Sequence, residues 1–339
     1  MCYRGHNCKC VAGSRAPLRS FGRGQIVKTV RLNHLRAALL TAAAAGLLAA
    51  VGLVVVLYAQ PAEANYPGTP GKIAYSGWDG NDLEIYTINP DGGSNVKVTN
   101  NQSGNEAPAY SPNAKKIAYS GWDGNDWEIY TVNPNGGSRK NVTNNNTDDR
   151  FPYYSPSGTK ITYSGRGGND WDIYTINTDG GSKKNVTNST TDEENPAYSP
   201  SGTKIAYSGQ DGNDWDIYTI NPNGGSKKNV TNNNSTNDYQ PDYAPGGTKI
   251  AYAGNDGNDW DIYTINPNGG SRKNVTNNNT DDFQPSYSPS GQKIAYVYDP
   301  GTGDTEIYYI KPDGGGRKSV TNNNTANLYP YWGCKGGCK

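Results

Sequence analysis

Two hydrophobic regimes divide the chain. Residues Ala37 to Ala59 run for 23 positions without a charge, whereas from residue 71 onward apolar and polar side chains alternate in short stretches. In WEIYTV, a period of two sets Trp127, Ile129 and Thr131 on one side and Glu128, Tyr130 and Val132 on the other. Isoleucine, tyrosine and threonine favour strands, and Asp-Gly, Pro-Asn-Gly-Gly and Pro-Ser-Gly punctuate them. Short strands are predicted throughout this region, with almost no place for helix.

The strands recur in a fixed order. The phrase KIAY or KITY places its isoleucine at Ile73, Ile117, Ile161, Ile205, Ile250 and Ile294, in steps of 44, 44, 44, 45 and 44 residues. Each unit reads PxYSP (strand A), KIAYSG (B), WDIYTI (C) and KNVT (D), joined by Gly/Asn/Asp-rich turns. Both sides of strand C carry bulky residues, so each small sheet must be covered on both faces. Six four-stranded sheets packed face to face around an axis achieve that. The first unit lacks its strand A, while an orphan strand of that type, Leu328 to Gly333, ends the sixth. The expected fold is all-β: a six-bladed β-propeller of four-stranded antiparallel blades, closed by the C-terminal strand joining the first blade. Expected boundaries are a leader at 1–64, the propeller at 65–333 and a Gly/Cys/Lys tail at 334–339.

Pro108 to Ile117, Ile129 to Gly137 and Val142 to Thr143, with their counterparts in every other unit, carry a family resemblance. They are similar to the TolB-type β-propeller repeat, in which a P-x-W-S-P-D-G turn precedes an I-A-F-like strand, an I-Y-like strand ending before D-G-G, and an L-T-like strand. The resemblance spans 66–333 and implies the propeller alone, because nothing between Asn65 and Gly71 can hold the N-terminal α/β domain of TolB. The inner-turn aspartate of the family is absent, as in Ser155-Pro156-Ser157-Gly158. A true TolB role is therefore not expected. No hydrolase domain of the kind joined to propellers in some serine peptidases follows Lys339.

Composition agrees with thin sheets. Of 339 residues 33% are hydrophobic, with 43 glycines and 26 tyrosines against three phenylalanines, and the mean hydropathy is -0.84. A leucine-rich helical protein and a parallel-sheet enzyme core are excluded. The net charge of +0 is the sum of unlike parts. Residues 1–64 hold eight of the 31 basic residues and one of the 31 acids, which leaves 23 bases, 30 acids and a net -7 for the rest. That balance disfavours nucleic acid as a partner.

The basic head, the 37–59 run and the small-x-small pair Ala62 and Ala64 have the form of a secretory leader, and the run is equally long enough for an N-terminal anchor. Either reading places the propeller outside the cytoplasm, secreted, periplasmic or anchored by 37–59, with the membrane touched only through this segment. Cys2, Cys8, Cys10 and His6 match no zinc spacing. Cys334 and Cys338, in the exported part, are candidates for a small disulfide.

In such a blade the B–C and D–A loops emerge on one face, and the A–B and C–D turns on the other. The first face receives Asp79, Asp82, Asp123, Asp126, Asp148, Asp149, Asp211, Asp214, Asp256, Asp259, Asp281 and Asp282; the second receives Arg139, Lys160, Lys183, Lys227, Arg272 and Arg317. An acidic, Asn-rich face and a basic one are expected. No cofactor is required, although Asp and Asn oxygens on the first face suit calcium. Asp-Gly with Asn also serves hairpin turns by itself.

Trp127, Trp171, Trp215 and Trp260 recur at the start of strand C, either as a sugar-stacking ring or as packing between blades. Trp78 and Trp122 lie further out, where the next unit has Arg166, and the sixth unit diverges around Asp304. The candidate ligand-binding set is therefore Trp78, Asp79, Asp82, Trp122, Asp123, Asp126, Arg166, Asp211, Asp214, Asp256, Asp259 and Asp304. Asn-Val-Thr at Asn141, Asn185, Asn229 and Asn274 is formally a glycosylation signal but fits a plain outer strand.

No histidine lies beyond residue 64, and there is neither a GxSxG elbow nor a Cys-His arrangement, so no usual activated nucleophile exists. No catalytic residue is assigned. The expected function is a monomeric, exported, non-enzymatic propeller that binds an envelope or extracellular protein, or a glycan. Alternatives are a carbohydrate-binding or carbohydrate-cleaving propeller, with Glu193, Glu194 and Glu306 as the acids that break the repeat, or a chiefly structural envelope protein.

Overall fold

A computed structural model describes residues 69–335, apart from 213, 234 and 235. The leader and its hydrophobic run lie outside the described residues, as do Cys2, His6, Cys8, Cys10 and Cys338. Among the described residues no helix is long and apolar enough to cross a membrane.

The chain forms six antiparallel sheets, each of four strands in the order A-B-C-D. Blade II is representative, with strands Asn105–Tyr110, Ile117–Trp122, Trp127–Val132 and Lys140–Asn141. The A strands of successive blades touch one another around the full ring. Blade I takes its A strand, Asn327–Lys335, from the chain end and pairs it with Thr69–Trp78. This strand runs two residues past the expected boundary at 333, so Cys334 belongs to the sheet, opposite Pro70. Cys334 is disulfide-bonded.

Isoleucines make the cores of the blades. Ile73, Ile117, Ile161, Ile205, Ile250 and Ile294 in the B strands are fully buried, as are Ile85, Ile129, Ile173, Ile217, Ile262 and Ile307 in the C strands. The B and C tyrosines stack across the strands, as Tyr163 does on Tyr174 with ring centroids 5.6 Å apart. A glycine two residues after the B tyrosine makes room for this. A Cβ on Gly165 would stand 2.8 Å from the Tyr174 ring. Blade VI has Tyr298 at that position, and there the Tyr296 and Tyr308 centroids open to 6.2 Å while Tyr298 meets Tyr308 edge-on at 4.9 Å.

Each A strand contains a bulge at the residue before its proline: Ala107, Phe151, Asn195, Gln240, Gln284 and Tyr329, all with φ between 54° and 59°. Positive φ is costly for these residues, so something must hold the bulge. In blades II to V a buried B-strand serine of the preceding blade accepts the bulge N–H, as Ser76 accepts from Ala107 at 3.1 Å and Ser208 from Gln240 at 2.9 Å. Blades V and VI carry Ala253 and Val297 at the serine position. Gln240 Oε1 then serves Gln284 N at 3.0 Å, and Gln284 Oε1 serves Tyr329 N at 2.6 Å.

Rings from the non-adjacent blades I and III meet near the axis. Phe151 of blade III lies 6.1 Å from Tyr329 of blade I, and Tyr153 lies 5.9 Å from Tyr331. The Tyr153 hydroxyl also donates to Asp242 of blade V at 3.3 Å. All five side chains are buried, so the axis is filled with side chains at this level.

Three sequence readings resolve here. Trp215 and Trp260 are buried and sandwich Tyr239, with Phe283 beyond, which makes them packing between blades IV, V and VI. The Asn-Val-Thr amides are engaged: Asn185 Nδ2 donates to Asp172 at 2.7 Å and to the Tyr174 hydroxyl at 3.1 Å. Five cations of the expected basic face remain exposed, and each lies over a tyrosine ring. Arg139 lies 3.9 Å over the Tyr130 ring, Lys183 4.8 Å over Tyr174, Lys227 4.8 Å over Tyr218, Arg272 4.2 Å over Tyr263 and Arg317 4.3 Å over Tyr298. Cation–π attraction and the need to cover the tyrosine stacks draw these side chains back onto the blades.

Ring closure rests on strand A of blade I, where Trp332 is 1% exposed and meets Tyr309 of blade VI at 6.0 Å. Trp332→Ala should cost about 3–5 kcal/mol. Val96→Ala, at an exposed site, should leave urea unfolding unchanged. Equal midpoints for the two variants would refute the closure role.

Candidate functional site

The B–C hairpins build the candidate site. In each of blades I, II and V the first loop aspartate turns one oxygen back on the loop: Asp123 Oδ1 accepts from Asn125 N at 2.8 Å and from Asp126 N at 3.2 Å. The following glycine completes the turn with φ of 114° at Gly124, which a side chain would resist. Asp79 and Asp256 repeat the arrangement. The second aspartate ends the hairpin, and strand C then begins with a large residue followed by a buried acid.

That buried acid is what the sequence reading missed. Glu84, Glu128, Asp216 and Asp261 join the loop pairs to give four triads: Asp79, Asp82 and Glu84; Asp123, Asp126 and Glu128; Asp211, Asp214 and Asp216; Asp256, Asp259 and Asp261. Within each triad one oxygen per carboxylate lies within 4.8 Å of the others, so the triads can hold a divalent cation such as calcium. An acid at the second position of every C strand was the available signal. Its period-two placement gives a side but not the neighbours it meets there.

The triads differ in their counter-charge. In blade I, Lys97 Nζ reaches Asp79 Oδ2 at 2.7 Å and Glu84 Oε1 at 3.4 Å. The ammonium bond and two backbone amides hold Asp79 down at about 2. Asparagine replaces Lys97 in blades II, IV and V, as Asn141, Asn229 and Asn274. Burial, Glu128 and Asp123 push Asp126 up to about 6; burial, together with a shared hydrogen bond from Asp211, does the same to Asp214.

The remaining expected residues stay apart. Arg166 and Asp304 join no acidic triad among the described residues. The Arg166 guanidinium turns onto its own loop, at 3.4 Å from the Asn169 carbonyl. Trp78 and Trp122 are half-buried, Trp122 lying edge-on to Trp127 at 6.0 Å. The D–A acids of the expected acidic face are structural. Asp148 accepts from Trp127 N and Asp281 from Trp260 N, while Asp149 and Asp282 are fully buried. Of the acids that break the repeat, Glu193 is buried against Lys227 at 3.1 Å, and Glu306 accepts from the Thr321 hydroxyl. Burial raises Glu194 to about 7, with Asp192 adding to the effect and Arg150 opposing it.

The profile of the TolB beta propeller domain matches residues 65–257 and 195–338. The fold superposes on TolB from Acinetobacter baumannii with a TM-score of 0.67 and 23% identity, covering 79% of this chain and 67% of that one. A chain of a nidogen/laminin complex gives 0.65 at 11% identity, covering 79% and 99%. An oligogalacturonate lyase from Vibrio parahaemolyticus gives 0.54 at 12%, covering 74% of each chain. At these identities the likeness is one of fold. No curated protein matches the chain.

Burial raises Asp149, Asp238 and Asp282 to about 7. Between about pH 4 and pH 7 these carboxyls keep protons that the unfolded chain has released, so stability must fall as pH rises through that window. Asp79, held low, acts in the opposite sense, but only below about pH 4. The thermal midpoint is therefore expected to drop as pH rises from about 4 to about 7. Converting all three residues to asparagine, the residue at the matching positions Asn105 and Asn327, should lessen the drop, with Asp126, Asp214 and Glu194 still contributing in the same sense. A midpoint that rises over this range would contradict the assignment.

Proposed function

The chain belongs to the TolB beta propeller domain family, and from that premise we propose that it is an exported binding module holding an envelope or extracellular protein on its B–C loop face. The observation that carries this reading is the concentration of the acidic triads on that one face. Asp79, Asp123, Asp211 and Asp256 are its exposed members, and Trp78 and Trp122 stand half-buried beside the first two. Exposed carboxylates favour a cationic partner and steer its approach, while a partly exposed indole supplies an apolar anchor. Phosphate backbones are repelled by the same charges. The propeller reads as a monomeric unit whose last strand reaches Lys335, placed outside the cytoplasm by the segment at 37–59.

Carbohydrate cleavage finds less support. Glycosidic acid–base chemistry asks for two carboxyls facing a common substrate, and Glu193 is instead enclosed against Lys227. The axis below the loops is filled by Phe151, Tyr153, Tyr329 and Tyr331.

Immobilised protein should retain a defined set of proteins from envelope extract. Trp78→Ala with Trp122→Ala should reduce that retention at least tenfold without altering thermal stability by more than a few degrees, as about 1.4 kcal/mol per decade of affinity requires. Undiminished retention by the double variant would reject this face as the contact surface.

A further inference from the structure

Blade I already contains a cation among its carboxylates, and its neighbours with the same carboxylates do not. Lys97 Nζ sits where Asp79 and Glu84 converge, and Asn100 Oδ1 accepts from it at 2.8 Å. In blades II, IV and V the corresponding asparagine brings no charge. Asn229 Nδ2 donates to Asp216 Oδ2 at 2.6 Å, and Asn274 Nδ2 to Asp261 Oδ2 at 2.6 Å. One amide proton cannot neutralise three carboxylates. Asp126 and Asp214 are 7% and 5% exposed, and each keeps one buried oxygen, Oδ1 and Oδ2 respectively, without a donor. Asp259 Oδ2 in blade V also lacks a donor, in a half-buried side chain, as does Asp82 Oδ1 in blade I, which Lys97 does not reach. A buried carboxylate oxygen with no partner is expensive, and beside two further acids the expense grows.

We propose that the B–C loops of blades II, IV and V each bind a divalent, oxygen-preferring cation, and that Lys97 is the built-in substitute for that cation in blade I. The ligands are Asp123, Asp126 and Glu128 in blade II, Asp211, Asp214 and Asp216 in blade IV, and Asp256, Asp259 and Asp261 in blade V. Calcium fits best: oxygens bound to one ion at about 2.4 Å lie no more than about 4.8 Å apart, and calcium completes its shell with water. The remaining blades are natural controls. Blade III has Gly167 at the Asp123 position, and blade VI offers Asp304 without a triad. The inference stands apart from the protein-binding proposal, because the sites lie within the chain and need no partner.

Calcium titration of the purified chain, followed by calorimetry and by Tb3+ luminescence excited through the neighbouring tryptophans, should report three ions per chain. The thermal midpoint should rise with calcium. Asp126→Asn, Asp214→Asn and Asp259→Asn together should abolish both signals while leaving the ion-free chain folded. Lys97→Asn keeps every carboxylate and opens blade I, so it should raise the stoichiometry from three to four. No calcium uptake by the unaltered chain, or uptake unchanged in the triple asparagine variant, would overturn the three sites. A Lys97→Asn chain that still binds three ions would overturn the role given to Lys97.

Discussion

One carboxylate per blade, buried in blades I to V and half-buried in blade VI, holds this propeller together. At the second position of strand C, Glu84, Glu128, Asp172, Asp216, Asp261 and Glu306 each accept a backbone N–H from the loop after strand D, as Asp172 does from Ser189 at 2.9 Å. In five blades the acid also accepts from the D-strand threonine, as Asp216 does from Thr231 at 2.6 Å. The threonine oxygen in turn accepts an amide of strand C, at 3.0 Å for Ile217. A two-residue outer strand has too few ladder bonds to stay in place alone. The charge-assisted bonds to the buried acid do that work.

The same carboxylate reaches the next blade. Asn105 of blade II donates to Glu84 of blade I at 2.7 Å, and Asn327 donates to Glu306 at 3.3 Å across the junction where the ring closes. Between the other blades the asparagine is replaced by Asp149, Glu193, Asp238 or Asp282, and burial pushes each of these above the ordinary carboxylate range. The network that binds outer strand to loop, and blade to blade, also supplies the innermost ligand of every acidic triad. Structural and surface chemistry therefore share one residue, which ties the loop face to the integrity of the blade beneath it.

Departures from the repeat are compensated locally. Losing the bulge-holding serine to Ala253 and Val297 is answered by Gln240 and Gln284, one long amide for each lost hydroxyl. Placing Tyr298 where other blades have glycine shifts the tyrosine stack, and Arg317 covers both rings at 4.3 and 4.7 Å. Lys97 in place of asparagine discharges one triad. Each substitution is meaningful only beside its neighbour in the next strand or blade.

The 44-residue period, the strand pattern and the orphan final strand were legible along the chain, because alternation and turn chemistry act over a few residues and six copies reinforce one another. The loop aspartates were legible for the same reason. Their union with Glu84, Glu128, Asp216 and Asp261 was not, since period two says on which side a residue lies and nothing about the partner across from it. Nor was the seating of Arg139, Lys183, Lys227, Arg272 and Arg317, whose long side chains lie over tyrosines while remaining exposed. Local order follows from local sequence. Which charges are buried, paired or left facing one another is decided by distances that exist only once the blades have packed.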